Sequence, residues 1–278
     1  MQTAPEIDTV KPFLRWAGGK RWLVHRMPEI LGSTQYNNYY EPFLGGGSIF
    51  FGLHPLKNSY LSDVNTELIN AYIQVRKSPR AVSHELDRHQ NSSAYYYEIR
   101  EKVYSDATKR AAQFIFLNHT SFNGLHRVNL SGKYNVPYGN RKSTRIPSLE
   151  QLIQISTRLK LAKLSSADFE KTLGSAKKGD LVFLDPPYTV AHSNNGFIEY
   201  NRRLFAFEDQ GRLAVAIDRL RTKGAFFIMT NAFHDSIAEL FERGDRRLIM
   251  TRANAIGGKS AQRGSASEYL FTNLPAND

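Results

Sequence analysis

The stretch Asp180-Leu181-Val182-Phe183-Leu184-Asp185-Pro186-Pro187-Tyr188 carries the pattern that decides the fold. Leu181 to Leu184 form a short apolar run, which predicts a buried strand. The two prolines cannot continue a strand ladder and hold the backbone extended. A carboxylate and an aromatic ring are therefore expected directly after a strand end, where open α/β sheets bind their ligands.

The chemistry of this turn suits a flat substrate that carries an amino group. The exocyclic amine of a nucleobase is a poor nucleophile, because its lone pair is delocalised into the ring. The Asp185 carboxylate and the Pro186 carbonyl can accept hydrogen bonds from its two N–H groups and localise the lone pair. The Tyr188 ring can stack on the base, which contributes roughly 1–3 kcal/mol. A base inside a duplex would have to be flipped out to reach them. A plain Pro-rich turn that caps a strand is the structural alternative.

Composition places the chain among nucleic-acid-binding or anionic-surface-binding proteins. Its 278 residues, 41% of them hydrophobic, permit one large α/β domain or one such domain with an insert. The net charge of +11 and the pI near 9.7 indicate a polyanionic partner. No apolar run is long enough to span a membrane, and the first residues lack the pattern of a signal peptide.

Metal and disulfide chemistry are not expected. The chain has no cysteine, which excludes disulfides and thiolate metal sites and fits a cytoplasmic protein. The 8 histidines are scattered without ligand spacing, so no metal cofactor is expected.

A basic module interrupts the α/β pattern. Residues 67–145 hold 13 Lys and Arg against 6 Asp and Glu, which is a net charge of +7 and more than half of the total. They contain two helical patterns and a predicted hairpin, Asn129 to Val136, that turns at Ser131-Gly132. We therefore expect 1–66 and 146–278 to form one α/β domain and 67–145 to be an insert.

Two further segments resemble parts of a ligand site. Glu41-Pro42-Phe43-Leu44-Gly45-Gly46-Gly47-Ser48 follows a predicted strand, and its glycines let the backbone approach a ligand closely. Asp63 follows the next strand at a distance suited to ribose hydroxyls. Trp16-Ala17-Gly18-Gly19-Lys20 lacks the ending of a P-loop, which argues against nucleoside triphosphates. Taken singly, the glycine segment has a structural turn as a serious alternative, and Trp16 to Lys20 is better explained by a buried tryptophan and an ordinary helix start.

The order of these segments resembles the Dam-type DNA adenine methyltransferases. Phe13 to Lys20, Glu41 to Ser48, Asp63-Val64-Asn65, the basic module, Ser166-Ala167-Asp168-Phe169 and Asp185 to Tyr188 follow one another as in that family. The resemblance covers nearly the whole chain. It implies a Rossmann-like class I methyltransferase sheet with helices on both faces and, at 67–145, a mostly helical target-recognition domain with a β-hairpin.

The resemblance also implies the reaction and the residues of the site. S-adenosylmethionine would be the methyl donor, adenine in double-stranded DNA the acceptor, and no metal is needed. The implied catalytic residues are Asp185, Pro186 and Tyr188. The implied cofactor residues are Trp16, Lys20, Glu41, Phe43, Gly45, Gly47, Asp63, Asp168, Phe169 and Asp185.

A loop in the basic module resembles the base-reading segment of the family. Arg127 can bond a guanine bidentately and Leu125 can meet a thymine methyl. Phe122 can wedge into the opened stack. Expected DNA contacts are thus Phe122, Asn123, Leu125, Arg127, Asn129 and Pro137, with Arg15 at the place where GATC-reading relatives often carry lysine. Plain phosphate binding is the alternative for Arg15 and Arg127.

Lys259 and Arg263 lie in a glycine-containing loop and suit contacts with DNA phosphates. A solvated loop without a DNA contact explains them equally well. Three other functions remain in competition with adenine methylation at GATC or another GAT-containing site. They are methylation of cytosine's exocyclic amine, RNA modification, and DNA binding by an inactive methyltransferase scaffold. A monomer acting on DNA is expected. The sequence leaves open whether a cognate restriction endonuclease accompanies it, and whether its role is housekeeping, phage or restriction-modification.

Overall fold

The computed structural model describes residues 10–55, 57–129, 131–141, 144–189, 205–253 and 265–276. Their helices are α1 (Arg21–Val24), α2 (Met27–Leu31), α3 (Ser48–Leu53), α4 (Thr66–Lys77), α5 (Pro79–Asp87), α6 (Ser93–Glu101), α7 (Ala107–Thr120), α8 (Leu149–Arg158), α9 (Phe169–Leu173), α10 (Phe207–Lys223) and α11 (Asp235–Phe241). Their strands are β1 (Tyr39–Glu41), β2 (Ser59–Asp63), β3 (Ala162–Ser166), β4 (Leu181–Leu184), β5 (Phe226–Ala232), β6 (Arg246–Ala253) and β7 (Ser265–Thr272). None of the helices in these ranges is both long and apolar enough to cross a membrane.

The chain forms two compact units. The first comprises Met1–Val24 and Leu44–Ala167, and the second comprises His25–Phe43 and Asp168–Asp278. The first unit contains α1, α3 to α8 and the parallel strands β2 and β3. The second contains α2, α9 to α11 and the remaining five strands.

Side-chain caps begin the main helices of the first unit. The Asn65 side chain accepts from Leu68 N at 3.0 Å and starts α4, because asparagine is a favoured N-cap residue. Asp106 caps α7 and Ser148 caps α8 in the same way. The Gln151 amide nitrogen donates to the carbonyls of Lys11 and Pro12.

The predicted hairpin is a tight turn with isolated bridges. Gly132, with φ 74°, donates to the Asn129 carbonyl at 3.0 Å, which confirms the turn. Single bridges join Val128 to Tyr134 and Ser121 to Tyr138. Among the described residues between Ser121 and Tyr138, the bridges do not extend into continuous strands. Backbone and side-chain hydrogen bonds therefore hold this segment together.

The second unit has the strand order β1-β4-β5-β7-β6. β1, β4 and β5 are parallel, whereas β7 is antiparallel to both β5 and β6. All four residues of β4 are buried, as expected for a parallel strand covered on both faces. An antiparallel pair beside parallel strands agrees with the Rossmann-like sheet that was expected, and the α/β fold class is confirmed.

Strand register brings polar residues to one end of this unit. Leu184 pairs with Met229, so Asp185 and Thr230 follow side by side. Ala232 pairs with Glu268 across the antiparallel ladder. The carboxyl ends of β4 and β5 and the facing part of β7 therefore present their side chains to the same region.

Candidate active site

Asp185 lies immediately after β4 and is held by a neighbouring strand. Thr230 Oγ1 donates to Asp185 Oδ1 at 2.7 Å, and Thr230 is fully buried on β5. Asp185 itself is only partly buried, and Pro186 beside it is buried. A carboxylate fixed through one oxygen at a strand end is oriented before any substrate arrives.

Tyr188 is bonded to a second acid. Its hydroxyl donates to Glu268 Oε2 at 2.9 Å, and Glu268 is 3% exposed. Burial, followed by the nearby charges of Asp185 and Glu268, raises the pKa of Tyr188 well above its ordinary value. Tyr188 is therefore a neutral phenol at physiological pH, with its ring rather than its hydroxyl suited to meet a substrate.

A buried amide pair supports the same turn from behind. Asn231 Nδ2 donates to Gln210 Oε1 at 2.9 Å, and both residues are fully buried. Gln210 Nε2 in turn reaches the Pro187 carbonyl at 3.5 Å and Thr189 Oγ1 at 3.4 Å. The turn after β4 is thus tied to α10 and β5.

Three phenylalanines form an aromatic cluster in the second unit. Phe43 stacks on Phe169 with ring centroids 5.4 Å apart, and Phe205 meets both rings at 5.6 and 5.9 Å. Asp168 caps α9 through Glu170 N at 2.9 Å. Arg212 bonds Asp168 at 3.0 Å and lies over the Phe169 ring. An apolar surface with a carboxylate at its rim suits a purine.

Glu41 is a buried carboxylate at the end of β1. It is 3% exposed and accepts from the Tyr39 hydroxyl at 2.7 Å. Burial and the Glu41 charge raise the pKa of Tyr39 well above its ordinary value. An ionised carboxylate has about four acceptor positions, so Glu41 can also receive an ammonium group.

In the first unit, the glycine turn packs on Trp16. Gly45 and Gly47 have φ of 46° and 66°. A Cβ on Gly45 would lie 2.7 Å from Trp16 Cδ1, and one on Gly47 would lie 2.8 Å from the Tyr72 hydroxyl. Both positions require glycine because of conformation and space together.

Asp63 closes this turn at the end of β2. Its Oδ2 accepts from Gly45 N and its Oδ1 from Asn65 N, each at 3.0 Å. Burial raises the pKa of Asp63, although the backbone hydrogen bonds oppose the shift. Nearby in sequence to Trp16, the buried Lys20 donates to the Gly18 carbonyl at 2.8 Å.

Asn118 joins Arg15 to the loop that follows α7. It accepts from Arg15 N at 2.8 Å and donates to the carbonyls of Arg15 at 2.7 Å and Gly124 at 3.2 Å. A Cβ on Gly124 would lie 2.8 Å from Arg15 Cβ. Burial and the charge of Arg141 lower the pKa of Arg15, but the guanidinium stays charged at neutral pH because its ordinary value is so high.

The loop that follows α7 presents polar and aromatic groups outward. Phe122 is 51% exposed, so half of its surface is open to solvent. Arg127 Nε donates to Asn135 Oδ1 at 2.9 Å. Asn123, Arg127 and Pro137 are exposed, and Leu125 is half-buried. The Asn129 side-chain oxygen accepts from the backbone amides of Ser131 and Lys133 and shapes the turn.

His126 contacts residues of two other motifs. Its ring stacks on Trp16 at 5.5 Å with an interplanar angle of 19°. Its Nε2 lies 3.4 Å from Asn65 Nδ2. Burial lowers the pKa of His126 to about 4, so the ring is neutral at physiological pH.

The expected site residues thus fall into two sets, one in each unit. The first unit holds Arg15, Trp16, Lys20, Gly45, Gly47, Asp63, Phe122, Asn123, Leu125, Arg127, Asn129 and Pro137. The second holds Glu41, Phe43, Asp168, Phe169, Asp185, Pro186 and Tyr188. Lys259 and Arg263 lie outside the described residues. Among described side chains, no group of three His, Asp or Glu could hold a metal ion.

Several partners of these residues escaped the sequence interpretation. They are His126, Asn118, Phe205, Gln210, Arg212, Thr230, Asn231 and Glu268. Some of them could have been identified from the sequence, because a polar residue occupies a position where the hydrophobic pattern predicts burial. Gln210 lies on the apolar face of its helix with Leu213, Ile217 and Leu220, and Glu268 opens an apolar stretch of β7.

Comparison with known proteins identifies the family. Residues 16–254 match the D12 class N6 adenine-specific DNA methyltransferases. A type II methyltransferase, M1.LlaDCHI of Lactococcus lactis, is 36% identical over 95% of both chains. The DNA adenine methylase of Vibrio cholerae is 30% identical over 95% of this chain and 96% of its own. This chain belongs to the D12 class and is an adenine-specific DNA methyltransferase.

A third relative is also named a type II methyltransferase. The type II methyltransferase M.MjaIII of Methanocaldococcus jannaschii is 34% identical over 84% of this chain and 88% of its own. Among solved structures, the N-methyltransferase NodS of Bradyrhizobium japonicum aligns over 92% of this chain and 95% of its own, with 12% identity and a TM-score of 0.41. That score is too low to support an argument about function.

Proposed function

We propose that this chain transfers a methyl group from S-adenosylmethionine to the exocyclic amine of a flipped adenine in duplex DNA. The proposed target is GATC or another site that contains GAT. The observation that carries the proposal is the Asp185 carboxylate, oriented by Thr230 at the end of β4 beside the Tyr188 ring.

The catalytic turn accounts for activation of the amine. Asp185 and the Pro186 carbonyl accept hydrogen bonds from the two N–H groups of the amine, which localises the lone pair on nitrogen; one of these protons leaves after the methyl group has been transferred. Tyr188 holds the face of the base by stacking. Asp185 stabilises the positive charge that develops on nitrogen, and it does so without reorganising because Thr230 already orients it.

The residues present fit S-adenosylmethionine, which supplies an electrophilic methyl group on a sulfonium when bound. In the second unit, the cluster of Phe43 and Phe169 with Asp168 at its rim suits the adenine ring, and buried Glu41 suits an ammonium. In the first unit, Asp63 suits ribose hydroxyls. Trp16, Lys20, Gly45 and Gly47 are proposed to line the cofactor, by their match to the family motif.

Recognition of the DNA is proposed to use the loop beside Asn118. Arg127 and Arg15 would bond guanines, Leu125 and Pro137 would meet thymine methyl groups, and Phe122 would fill the stack that flipping opens. Asn123 and Asn129 would bond phosphates or bases, the latter through its amide nitrogen, since its oxygen is used in the turn. Residues 67–145 are proposed as the target-recognition domain.

A restriction-modification role is favoured over housekeeping methylation. Two of the relatives described above are named type II methyltransferases and are more similar to this chain than the Vibrio cholerae DNA adenine methylase. We propose that the chain acts as a monomer and that a cognate restriction endonuclease is its functional partner. Protection of a GATC-containing plasmid from cleavage by a GATC-specific endonuclease would support methylation at this target.

Tritium transfer from labelled S-adenosylmethionine tests the proposed function. One duplex contains a single GATC, and a matched duplex has its GAT scrambled. Label in the first duplex only, recovered as 6-methyladenine, is the expected result. Label in both duplexes would support the reaction but overturn the proposed target. Label in neither duplex, from a protein that still binds S-adenosylhomocysteine, would overturn the proposed target and leave the proposed cofactor standing.

A further inference from the structure

Glu268 is a buried acid beside the catalytic turn that the reaction described above does not use. It is 3% exposed, and β7 places it opposite Ala232 at the end of β5. An ionised carboxylate in such a position costs several kcal/mol unless hydrogen bonds stabilise it. The Tyr188 hydroxyl is one of the donors that do so.

We propose that Glu268 is a positioning residue that fixes the Tyr188 ring for stacking on the target base and acts through the Tyr188 hydroxyl. The proposal rests on the proposed function, because only then does the ring have a base to meet.

The geometry of a tyrosine explains why a bond at the hydroxyl matters. The ring is attached to the backbone at one end and turns about two side-chain torsions. A hydrogen bond at the opposite end, 2.9 Å long, restrains both torsions. Because the single phenol proton is directed to Glu268, the hydroxyl contributes orientation while the ring face contributes binding.

Thr230 extends the restraint to Asp185. It donates its hydroxyl proton to Asp185 Oδ1 at 2.7 Å. The two groups that meet the adenine are therefore held by Thr230 and Glu268, which lie on paired strands. Rigid strands hold a site more accurately than a loop does.

A double-mutant cycle tests whether Glu268 acts through Tyr188. Methyl transfer to a single-GATC duplex is compared for the wild type, Glu268→Ala, Tyr188→Phe and the double variant. Glu268→Ala is expected to lower kcat about 10- to 100-fold, with KM for DNA and cofactor affinity within about 2-fold. In the Tyr188→Phe background the same change should lower kcat less than about 2-fold.

Two further variants separate positioning from folding. Glu268→Gln keeps an oxygen that accepts from the phenol and should recover most of kcat. If Glu268→Ala does not fold, Glu268→Met replaces it, because an apolar side chain of similar length removes the acceptor without leaving a cavity. Glu239→Ala, on the exposed face of α11, is the control and should match the wild type.

A full effect of Glu268→Ala in the Tyr188→Phe background would overturn the proposal, as would wild-type kcat in Glu268→Ala or Glu268→Met. Failure of the proposed function gives a different result, since the wild type would then methylate no adenine in either duplex.

Discussion

At the scale of single residues, Asp185 is the group nearest to the proposed chemistry. Thr230 occupies one of its oxygens and is itself fully buried, so the direction of the carboxylate is set by β5. The preceding Leu184 and the following Pro186 are both buried, which limits movement of the backbone on either side. Such pre-orientation has its largest effect on the chemical step.

Replacing this carboxylate should therefore lower the rate much more than the stability. Asp185→Ala is expected to reduce kcat for methyl transfer about 10²- to 10³-fold, the usual cost of removing a preorganised charge-stabilising group. Tritium incorporation into a GATC duplex measures the change, with Asp235→Ala, exposed on α11, as the control. Unchanged incorporation in Asp185→Ala would contradict the mechanism.

Arg127 is the residue proposed to carry most of the base discrimination. Asn135 accepts from its Nε and, at 3.5 Å, from its Nη2, which orients the guanidinium on the exposed face of the loop. Arg127→Ala should narrow the ratio of kcat/KM between GATC and a scrambled duplex by about 10- to 100-fold, since a bidentate contact contributes ≈ 1–3 kcal/mol. Competition between the two duplexes in one reaction measures this ratio.

The matched control for Arg127 lies on the same turn. Lys133→Ala removes a charge from an exposed position. It should weaken binding of both duplexes alike, so the ratio of their kcat/KM values should stay unchanged. Equal loss on both duplexes in Arg127→Ala would instead indicate a phosphate contact.

At the scale of elements, the sequence predicted strands well but not their partners. Strand β4 begins and ends at Leu181 and Leu184, as expected, and β1 precedes the glycine segment, where a strand was predicted. Helix α5 was not predicted, although Pro79 at its start is a typical first residue. Periodicity reveals which face of an element is buried, because that property is local to the chain.

The pairing of elements depends on contacts between residues far apart in sequence. Glu268 lies 80 positions from Tyr188, and Thr230 lies 45 positions from Asp185. A polar residue in an apolar stretch indicates that such a contact exists, but it does not indicate which residue is the partner. The same reasoning explains Asn129, whose type fitted DNA binding and whose local bonds form a turn.

The glycine turn after β1 gives a prediction about stability. Gly45→Ala places a methyl group 2.7 Å from Trp16 Cδ1 at a φ of 46°. It should lower the free energy of unfolding by about 1–3 kcal/mol and weaken S-adenosylhomocysteine binding. Gly211→Ala, inside α10 with open space around the residue, should raise the free energy of unfolding by about 0.5–1 kcal/mol. Urea unfolding of both variants distinguishes them, and equal effects would contradict the close packing on Trp16.

At the scale of the whole molecule, two histidines of the first unit give it a dependence on pH. Burial lowers the pKa of His89 and of His126 from 6.5 to about 4. Between these values the unfolded chain binds more protons than the folded one, so the stabilisation is complete above about pH 6.5 and is lost as pH falls towards 4. Histidine burial therefore contributes to acid sensitivity of this unit.

Urea unfolding at pH 7, 5.5 and 4.5 should show this loss. The double variant His89→Gln and His126→Gln is expected to have a flatter profile than the wild type, because neither amide titrates. His84→Gln, at an exposed position on α5, should leave the profile unchanged. A wild-type slope in the double variant would assign the acid sensitivity to other groups.

The way the two units share the chain has a consequence for protein synthesis. The first unit is complete in sequence once Ala167 has left the ribosome, whereas the second must wait although it begins at His25. Strand β1, buried along its length, is made long before β4, the strand of its own unit with which it pairs. At about 5–20 residues per second this interval is on the order of ten seconds. During that time a nascent chain exposes Tyr39 and Tyr40, so chaperone contact and misfolding should concentrate on this early segment.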